Sequence, residues 1–206
     1  MLYELRTYTV KPGTLGDMIK AASTISRDIR KDDYGKLEGY WSTEIGPLNQ
    51  IIHVWPYENL QQRTEIRAQA MKDPHWPPKI LDMVESMESE IFIPAPFMQP
   101  LGKRKLGNVY EMRTYMYKPG SMPEVLARWA EAIPQRVQVS PLAACWYSEL
   151  GGLNKFVHVW AYRDLEERSR IRAEVLKLSQ WPPKTREFLV SQANKILIPA
   201  AFSSMQ

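Results

Sequence analysis

The chain contains one pattern twice. The segment "YELRTYTVKPG" at Tyr3 returns as "YEMRTYMYKPG" at Tyr110, with 8 of 11 positions identical. The segment "LNQIIHVWPYENLQQRTEIRA" at Leu48 returns at Leu153, with 11 of 21 positions identical. Two copies are too few for a solenoid. We therefore predict a duplicated domain, with a first repeat over residues 1–98, a linker over 99–108 and a second repeat over 109–206.

The first half of each repeat predicts a strand followed by a helix. "LYELRTYTV" alternates and is rich in aromatic and β-branched residues, which is typical of a strand. After the "KPG" turn, Thr14 or Ser121 is expected to cap a helix of about four turns, ending near Arg30 or Val137. In the second repeat Ser121 and the glutamate three residues later have the spacing of a capping box.

The second half of each repeat predicts a hairpin, a split helix and a final strand. "LEGYWSTEIG" turns through "GPLN" into "QIIHVWPY", and Asn59 or Asp164 then caps the second helix. The "WPP" motif is expected to end that helix and to begin a third one. A short edge strand, "EIFIPAPF" or "KILIPAAF", closes the unit. The order β-α-β-β-α-β is that of a ferredoxin-like fold.

A ferredoxin-like sheet has helices on one face only, so its other face needs a partner. Two repeats in one chain can bury their bare faces against each other. We therefore predict an α+β fold in which two tandem ferredoxin-like (βαββαβ) repeats pack sheet to sheet as an α+β barrel.

The strand period divides the side chains between two faces. We expect the aliphatic face, with Ile52 and Val54 in the first repeat, to meet the helices. The polar and aromatic face would then line the space between the sheets. Aromatic walls with a few polar groups are typical of small-molecule pockets, although a packed core with satisfied His and Arg side chains is the alternative. The residues expected there are Arg6, His53, Trp55, Arg113, His158 and Trp160.

Further candidates lie beside this set. Trp41 and Trp146 are added to the ligand-binding candidates, and His53 and His158 are the candidate catalytic residues. The second helix of each repeat carries one pair of arginines four residues apart. These arginines would form salt bridges, in the first repeat from Arg63 to Glu44 or Glu4, or they would bind an anion. These pairs are Arg63 with Arg67 and Arg168 with Arg172.

Several classes of function have no signal in the sequence. There is no glycine-rich phosphate loop and no nucleophile elbow. The three histidines and the one cysteine, Cys145, lack the clustering that a metal site needs. A single cysteine also excludes an internal disulfide. We expect no metal and no cofactor, with haem on a single axial histidine, His53 or His158, as the alternative.

Charge and hydropathy bear on partners and location. The net charge is +4, but the 27 basic and 23 acidic residues are mixed along the chain. The one basic run, "GKRK" from Gly102 to Lys105, lies in the linker and favours a solvated connector over a nucleic-acid site. No apolar run approaches the roughly 18–20 residues of a membrane helix. We expect a cytoplasmic homo-oligomer with no nucleic-acid partner and no transmembrane segment.

The repeated pattern resembles the NIPSNAP family. The resemblance rests on "YELRTY", "KPG", the hairpin "WSTEIGPLN", "HVW" and the arginine-bearing helix, in both halves. It implies a place in the dimeric α+β barrel superfamily, which includes cofactor-independent monooxygenases and haem-degrading enzymes. Animal members of the family are discussed as interaction proteins. The family has no defined catalytic motif, so the resemblance assigns no catalytic residue.

These observations leave three hypotheses for function. The first is binding of a small aromatic or anionic molecule in a cavity of the barrel, with or without cofactor-independent oxygenase-type chemistry. The second is a non-catalytic scaffold with a fully packed barrel. The third is haem binding. A cavity beside His53 would favour the first hypothesis over the second.

Overall fold

The protein folds as one closed barrel of eight strands with helices on its outside. The computed structural model describes residues 1–26, 31–76 and 80–206. The strands are β1 Leu2–Val10, β2 Gly39–Ile45, β3 Gln50–Tyr57, β4 Val84–Pro94, β5 Val109–Tyr117, β6 Leu142–Leu150, β7 Lys155–Tyr162 and β8 Leu189–Pro199. The α-helices in these ranges are α1 Leu15–Ala21, α2 Leu60–Ala70, α3 Met122–Arg136 and α4 Leu165–Val175.

Short helical turns extend this set. The π-helical turn Ala22–Ser26 continues α1. The 3₁₀ turns Leu81–Met83 and Arg186–Phe188 precede β4 and β8. Within the ranges given above, no helix is both long enough and apolar enough to cross a bilayer.

The strand order confirms the predicted α+β barrel. The first repeat has the order β4-β1-β3-β2 and the second β8-β5-β7-β6, which is the ferredoxin-like order in both. All neighbouring strands are antiparallel. The barrel closes where β2 pairs with β8, at Trp41 and Pro199, and where β4 pairs with β6, at Ile93 and Tyr147. Each repeat thus lends its last strand to the other.

The predicted assignment of the two strand faces is wrong. Ile52 and Val54 lie in the barrel interior, and their counterparts Val157 and Val159 join them in one buried cluster. The polar and aromatic face lies outside the barrel, beneath the helices. The interior of an eight-stranded barrel is just wide enough for side chains to fill, and charged groups there would lose their hydration. Six residues expected in the interior therefore lie on the outer face: Arg6, His53, Trp55, Arg113, His158 and Trp160.

Trp41 and Trp146 occupy the interior instead. Trp41 pairs with Ile52 across the β2–β3 ladder, so both point inward. Its ring centroid is 5.7 Å from that of Tyr110, and the Trp146 centroid is 5.9 Å from that of Tyr3. Both tryptophans therefore pack one repeat against the other, away from His53 and His158.

The predicted helix caps are confirmed for the second helix of each repeat but not for the first. Asn59 and Asp164 cap their helices as predicted, accepting hydrogen bonds from the N–H of Gln62 at 2.9 Å and of Glu167 at 2.7 Å. The capping box at Ser121 is wrong, because its hydroxyl donates to the Lys118 carbonyl at 2.7 Å. Thr14 likewise has no side-chain capping bond.

The expected third helix is also wrong where it can be checked. Pro182 and Pro183 lie in an irregular segment, and only the 3₁₀ turn before β8 follows. Pro77 and Pro78, like the expected end of the first helix near Arg30, fall outside the described residues. The closing strands are 11 residues long rather than short, because they pair with β1 and β5 along almost their whole length.

Candidate functional site

A cavity of about 320 Å³ lies on the outer face of the first repeat's sheet. Strands β1, β2 and β3 supply its floor, α1 with its π-helical turn supplies Met18 and Ala22, and α2 supplies Arg67. Phe202, at the end of the second repeat, completes the wall beside Tyr40, with ring centroids 4.8 Å apart. The cavity is therefore bounded mainly by aromatic and aliphatic side chains with a few charged groups.

His53 and Trp55 lie two residues apart on β3, so they share the floor of this cavity. The Trp55 Nε1–H donates to His53 Nδ1 at 2.6 Å. An indole N–H can only donate, so Nδ1 is unprotonated and the neutral ring carries its hydrogen on Nε2. The Tyr8 ring meets His53 edge-on at 4.7 Å, and the Tyr40 ring stacks beside it at 5.8 Å.

The second repeat contains the same hydrogen bond. Trp160 Nε1 donates to His158 Nδ1 at 2.7 Å. The twice-occurring His-Val-Trp sequence is thus a device that orients a histidine and sets its tautomer. It does so in both halves, whether or not a cavity lies above the ring.

A buried carboxylate, Glu4, anchors the charged side of the cavity. Its Oε1 accepts hydrogen bonds from Arg63 at 2.6 Å, Ser89 at 2.6 Å and Arg6 at 3.1 Å. Burial by itself would raise the pKa of Glu4, but the hydrogen bonds from Arg63 and Ser89 and the charge of Arg6 outweigh it and lower the pKa to about 2. The predicted salt bridge of Arg63 is confirmed, and of the two expected partners, Glu44 and Glu4, it is formed with Glu4.

The equivalent carboxylate of the second repeat is more fully paired. Glu111 accepts from Arg113 at 2.8 Å, Arg168 at 2.7 Å and Arg172 at 3.4 Å. Arg67 is the counterpart of Arg172, yet it forms no ion pair with any described residue and borders the cavity instead. Lys31 also borders the cavity and likewise has no ion-pair partner in the described part of the chain.

The corresponding space in the second repeat is filled by side chains. Trp129 from α3 lies with its ring centroid 4.6 Å from that of His158. The Arg136 guanidinium lies 3.9 Å from the Trp160 ring centroid, and Trp181 packs edge-on against Trp129. Burial first, and then nearby arginines, lower the pKa of His158 well below its usual value, so this ring is neutral at physiological pH.

The structure separates the candidates that the sequence placed together. His53, Trp55 and Arg6 line the first-repeat cavity, and Arg63 lies behind them on Glu4. Their counterparts belong to the packed second repeat, and the two remaining tryptophans belong to the barrel interior. These two sets are Arg113, His158, Trp160 and Arg168, and Trp41 and Trp146.

Sequence reasoning missed several residues of the cavity. Tyr8, Tyr40, Trp76 and Phe202 line it without having been singled out. One available signal was the alignment of the repeats, in which Ala22 stands opposite the tryptophan at position 129. A small residue opposite a large one marks a place where the two halves differ in filling.

Other reactive groups do not extend the site. Cys145 is buried, and its burial raises the pKa of the thiol well above its usual value, which disfavours a thiolate nucleophile. In residues 1–26, 31–76 and 80–206, no three His, Cys, Asp or Glu side chains come together as a metal ion would require.

Comparisons with known proteins identify relatives over the whole chain. The family model described as NIPSNAP matches residues 3–99 and 110–204. Human protein NipSnap homolog 3A is 29% identical over 220 residues, covering 100% of this chain and 86% of the relative. The protein NipSnap homolog of Dictyostelium discoideum is 30% identical over 208 residues, covering 96% of this chain and 87% of the relative.

A solved structure shares the complete barrel. The putative monooxygenase from Lactobacillus acidophilus NCFM has a TM-score of 0.69 at 12% identity, covering 98% of this chain and 95% of that one. At this identity the likeness shows a common fold alone. The family model, by contrast, matches both repeats from end to end. This chain belongs to the NIPSNAP family.

Proposed function

We propose that this protein binds a small aromatic anion in the first-repeat cavity. The observation that carries the proposal is a cavity of about 320 Å³ with aromatic walls, bordered by two cations, Lys31 and Arg67, that have no ion-pair partner among the described residues. Ligand pockets span roughly 300–1,000 Å³, so a cavity at the lower end suits a small ligand.

The charges around the cavity favour an anion. Among the described residues, the cavity lining carries three cations, Arg6, Lys31 and Arg67, and one carboxylate, Glu4, which Arg6 and Arg63 neutralise. A carboxylate or an oxyanion on the ligand would therefore meet positive potential. A guanidinium such as that of Arg67 can also bind a carboxylate through two parallel hydrogen bonds.

The orientation of His53 supports a more specific proposal for chemistry. While Trp55 occupies Nδ1, His53 has no lone pair available to take a proton, but its Nε2–H can donate. A bound phenol or enol that loses its proton to solvent would become an oxyanion, which such a donor stabilises. Electron-rich anions of this kind can react with O₂ without a cofactor, so oxygenase-type chemistry belongs to this proposal.

One observation favours the scaffold hypothesis. The barrel interior is filled by buried side chains of both repeats, as that hypothesis requires. The cavity outside the barrel is the feature that it does not explain. Haem binding is the third candidate, and a Soret shift on adding hemin would be its signature.

The first experiment is native mass spectrometry of freshly purified protein, followed by denaturing analysis of any released molecule. A bound aromatic acid would support the proposal, and the same spectrum tests the predicted homo-oligomer. A spectrum of protein alone leads to calorimetric titration with 2-naphthoate and its neutral analogue 2-naphthalenemethanol. Equal affinity for the two, or none for either, would contradict the proposal.

Arg67→Gln tests the role of this guanidinium, which has no ion-pair partner among the described residues. Hydrogen bonds to charged groups contribute about 1.5–3 kcal/mol, so we expect 2-naphthoate to bind about 10-fold more weakly or worse. The matched control is Arg172→Gln, because that arginine pairs with Glu111 in the filled half. An equal loss of affinity in both variants would show that the effect is general electrostatics rather than contact.

His53→Ala tests the proposed chemistry in the same way. Oxygen uptake in the presence of 1,4-dihydroxynaphthalene should fall in this variant and persist in His158→Ala, because only His53 borders the cavity. Oxygen uptake no faster than the uncatalysed rate in the unsubstituted protein would remove the catalytic part of the proposal and leave the binding part to the titrations.

A further inference from the structure

The two repeats align residue by residue around their histidines. His53 matches His158, Trp55 matches Trp160 and Trp76 matches Trp181, all with an offset of 105. On the preceding helix, where the offset is 107, Ala22 matches Trp129. Both of these residues are buried, with exposures of 8% and 2%. The walls are therefore alike, and one of them carries an indole ring where the other carries a methyl group.

The contacts of Trp129 define a slot for a flat bicyclic ring. Its centroid lies 4.6 Å from His158 and 4.8 Å from Phe156, and Trp181 meets it edge-on at 5.3 Å. These separations are those of favourable aromatic pairs. The ring is thus held by a histidine below and a tryptophan at the side.

In the first repeat the equivalents of these two partners, His53 and Trp76, border the cavity, and Ala22 borders it from the helical segment that follows α1. Tyr40 stands where the second repeat has Cys145, and its ring stacks beside His53 and so offsets part of the missing volume. The cavity of about 320 Å³ nevertheless remains beside it.

We propose that Trp129 is a built-in occupant of the second repeat's site, and that the first repeat takes a fused bicyclic aromatic acid in the equivalent slot. Ala22 is the residue that keeps this slot open, so the protein has one ligand site and not two. This inference rests on the proposed function for the first repeat, and it adds the ring size of the ligand and the residue that selects the half.

The test uses the intact chain, three single substitutions and one double variant, with indole and 2-naphthoate as probes in calorimetric titrations. The unsubstituted protein should bind one equivalent of 2-naphthoate. Ala22→Trp should weaken that binding at least 100-fold, whereas Ala22→Ser should retain it. Trp129→Ala should gain a site for indole in the second repeat. The double variant, Ala22→Trp with Trp129→Ala, should keep this indole site and lose the 2-naphthoate site of the first repeat.

Both slots should prefer a bicyclic ring to a single ring. Indole should bind to the opened second repeat more tightly than benzene, and 2-naphthoate should bind to the first repeat more tightly than benzoate. If Trp129→Ala is recovered unfolded, refolding in indole replaces the titration, because a ligand that binds only the folded state raises the midpoint of thermal unfolding.

The outcomes separate the two proposals. Undiminished 2-naphthoate binding in Ala22→Trp, or two equivalents bound by the unsubstituted protein, would overturn the inference and leave the proposed function standing. A Trp129→Ala variant that folds but does not bind indole would overturn the inference as well. If the unsubstituted protein binds no aromatic acid while Trp129→Ala binds indole, the slot in the second repeat stands and the proposed function falls.

Discussion

At the scale of single residues, the two buried glutamates organise the charged groups outside the barrel. Glu4 and Glu111 are both fully buried; one oxygen of Glu4 pairs with two arginines and one oxygen of Glu111 with three. Removing one partner of such a cluster leaves buried charges uncompensated. The stability of the fold should therefore depend on the ionisation of these two side chains.

Glu4→Gln tests this dependence on pH. Its folded pKa of about 2 lies below the usual 4.5, so its contribution is fully present above pH 4.5 and is lost as the pH falls towards 2. The shift corresponds to about 3 kcal/mol at pH 7. Urea unfolding from pH 7 to pH 2.5 should show the unsubstituted protein losing its advantage over the variant. A constant difference across this range would contradict the argument.

At the scale of elements, β2 shows how one glycine shapes the barrel interior. Trp41 is 1% exposed, and its ring folds back over Gly39, two residues earlier on the same face. A Cβ at position 39 would collide with the ring. The aligned pair in the second repeat is Ala144 and Trp146. An alanine is therefore compatible with the tryptophan there, whereas the Trp41 ring lies too close to its own strand for a methyl group at position 39.

Gly39→Ala should therefore destabilise the protein. Overpacking of a core costs about 1–3 kcal/mol. The control is Gly16→Ala on α1, where the new methyl group meets open space and should stabilise the helix by about 0.5–1 kcal/mol. Urea midpoints of the two variants should move in opposite directions. A neutral Gly39→Ala would mean that the Trp41 ring can move away from the strand at little cost.

At the scale of the whole molecule, the repeats share one interior rather than having one each. The inner cluster contains residues from both repeats, and ring contacts such as Trp41 with Tyr110 join them. The strand pairs β2–β8 and β4–β6 close the barrel on both sides. Neither repeat has an inner core that could persist after the other unfolds.

Trp41→Ala should accordingly weaken both halves together. Large-to-small changes of buried tryptophan cost about 3–5 kcal/mol. Hydrogen exchange should show the most protected amides of β3 and of β7 losing protection by similar factors, with a single unfolding transition in urea. Loss of protection confined to β3, or two separate transitions, would show that the repeats unfold independently.

The sequence predicted the architecture well and the site only in part. The duplication, the element order and the helix caps at Asn59 and Asp164 follow from local patterns and are present in the structure. For Arg63 the sequence left Glu44 and Glu4 as alternative partners, and the structure shows Glu4. The face of the strands was assigned wrongly. Strand period tells which side chains share a face, but it does not tell which face turns inward.

That choice belongs to the closed barrel, where both faces are covered. The inner face is covered by strands of the other repeat and the outer face by helices, so both faces carry buried apolar residues and apolar content alone does not say which face is inside. The choice depends on fit and on charge. Uncharged aliphatic and aromatic side chains interdigitate in the interior, whereas the charged side chains lie in the outer layer, where arginines on the helices pair with Glu4 and Glu111.

The sequence by itself determined that the chain would form two similar halves with the same histidine, tryptophan and arginine positions. Only the tertiary structure decided that these positions form a cavity in one half and a packed cluster in the other. The reason is that a cavity is a property of what several elements leave unfilled. The difference between Ala22 and Trp129 has meaning only once their helices lie over His53 and His158.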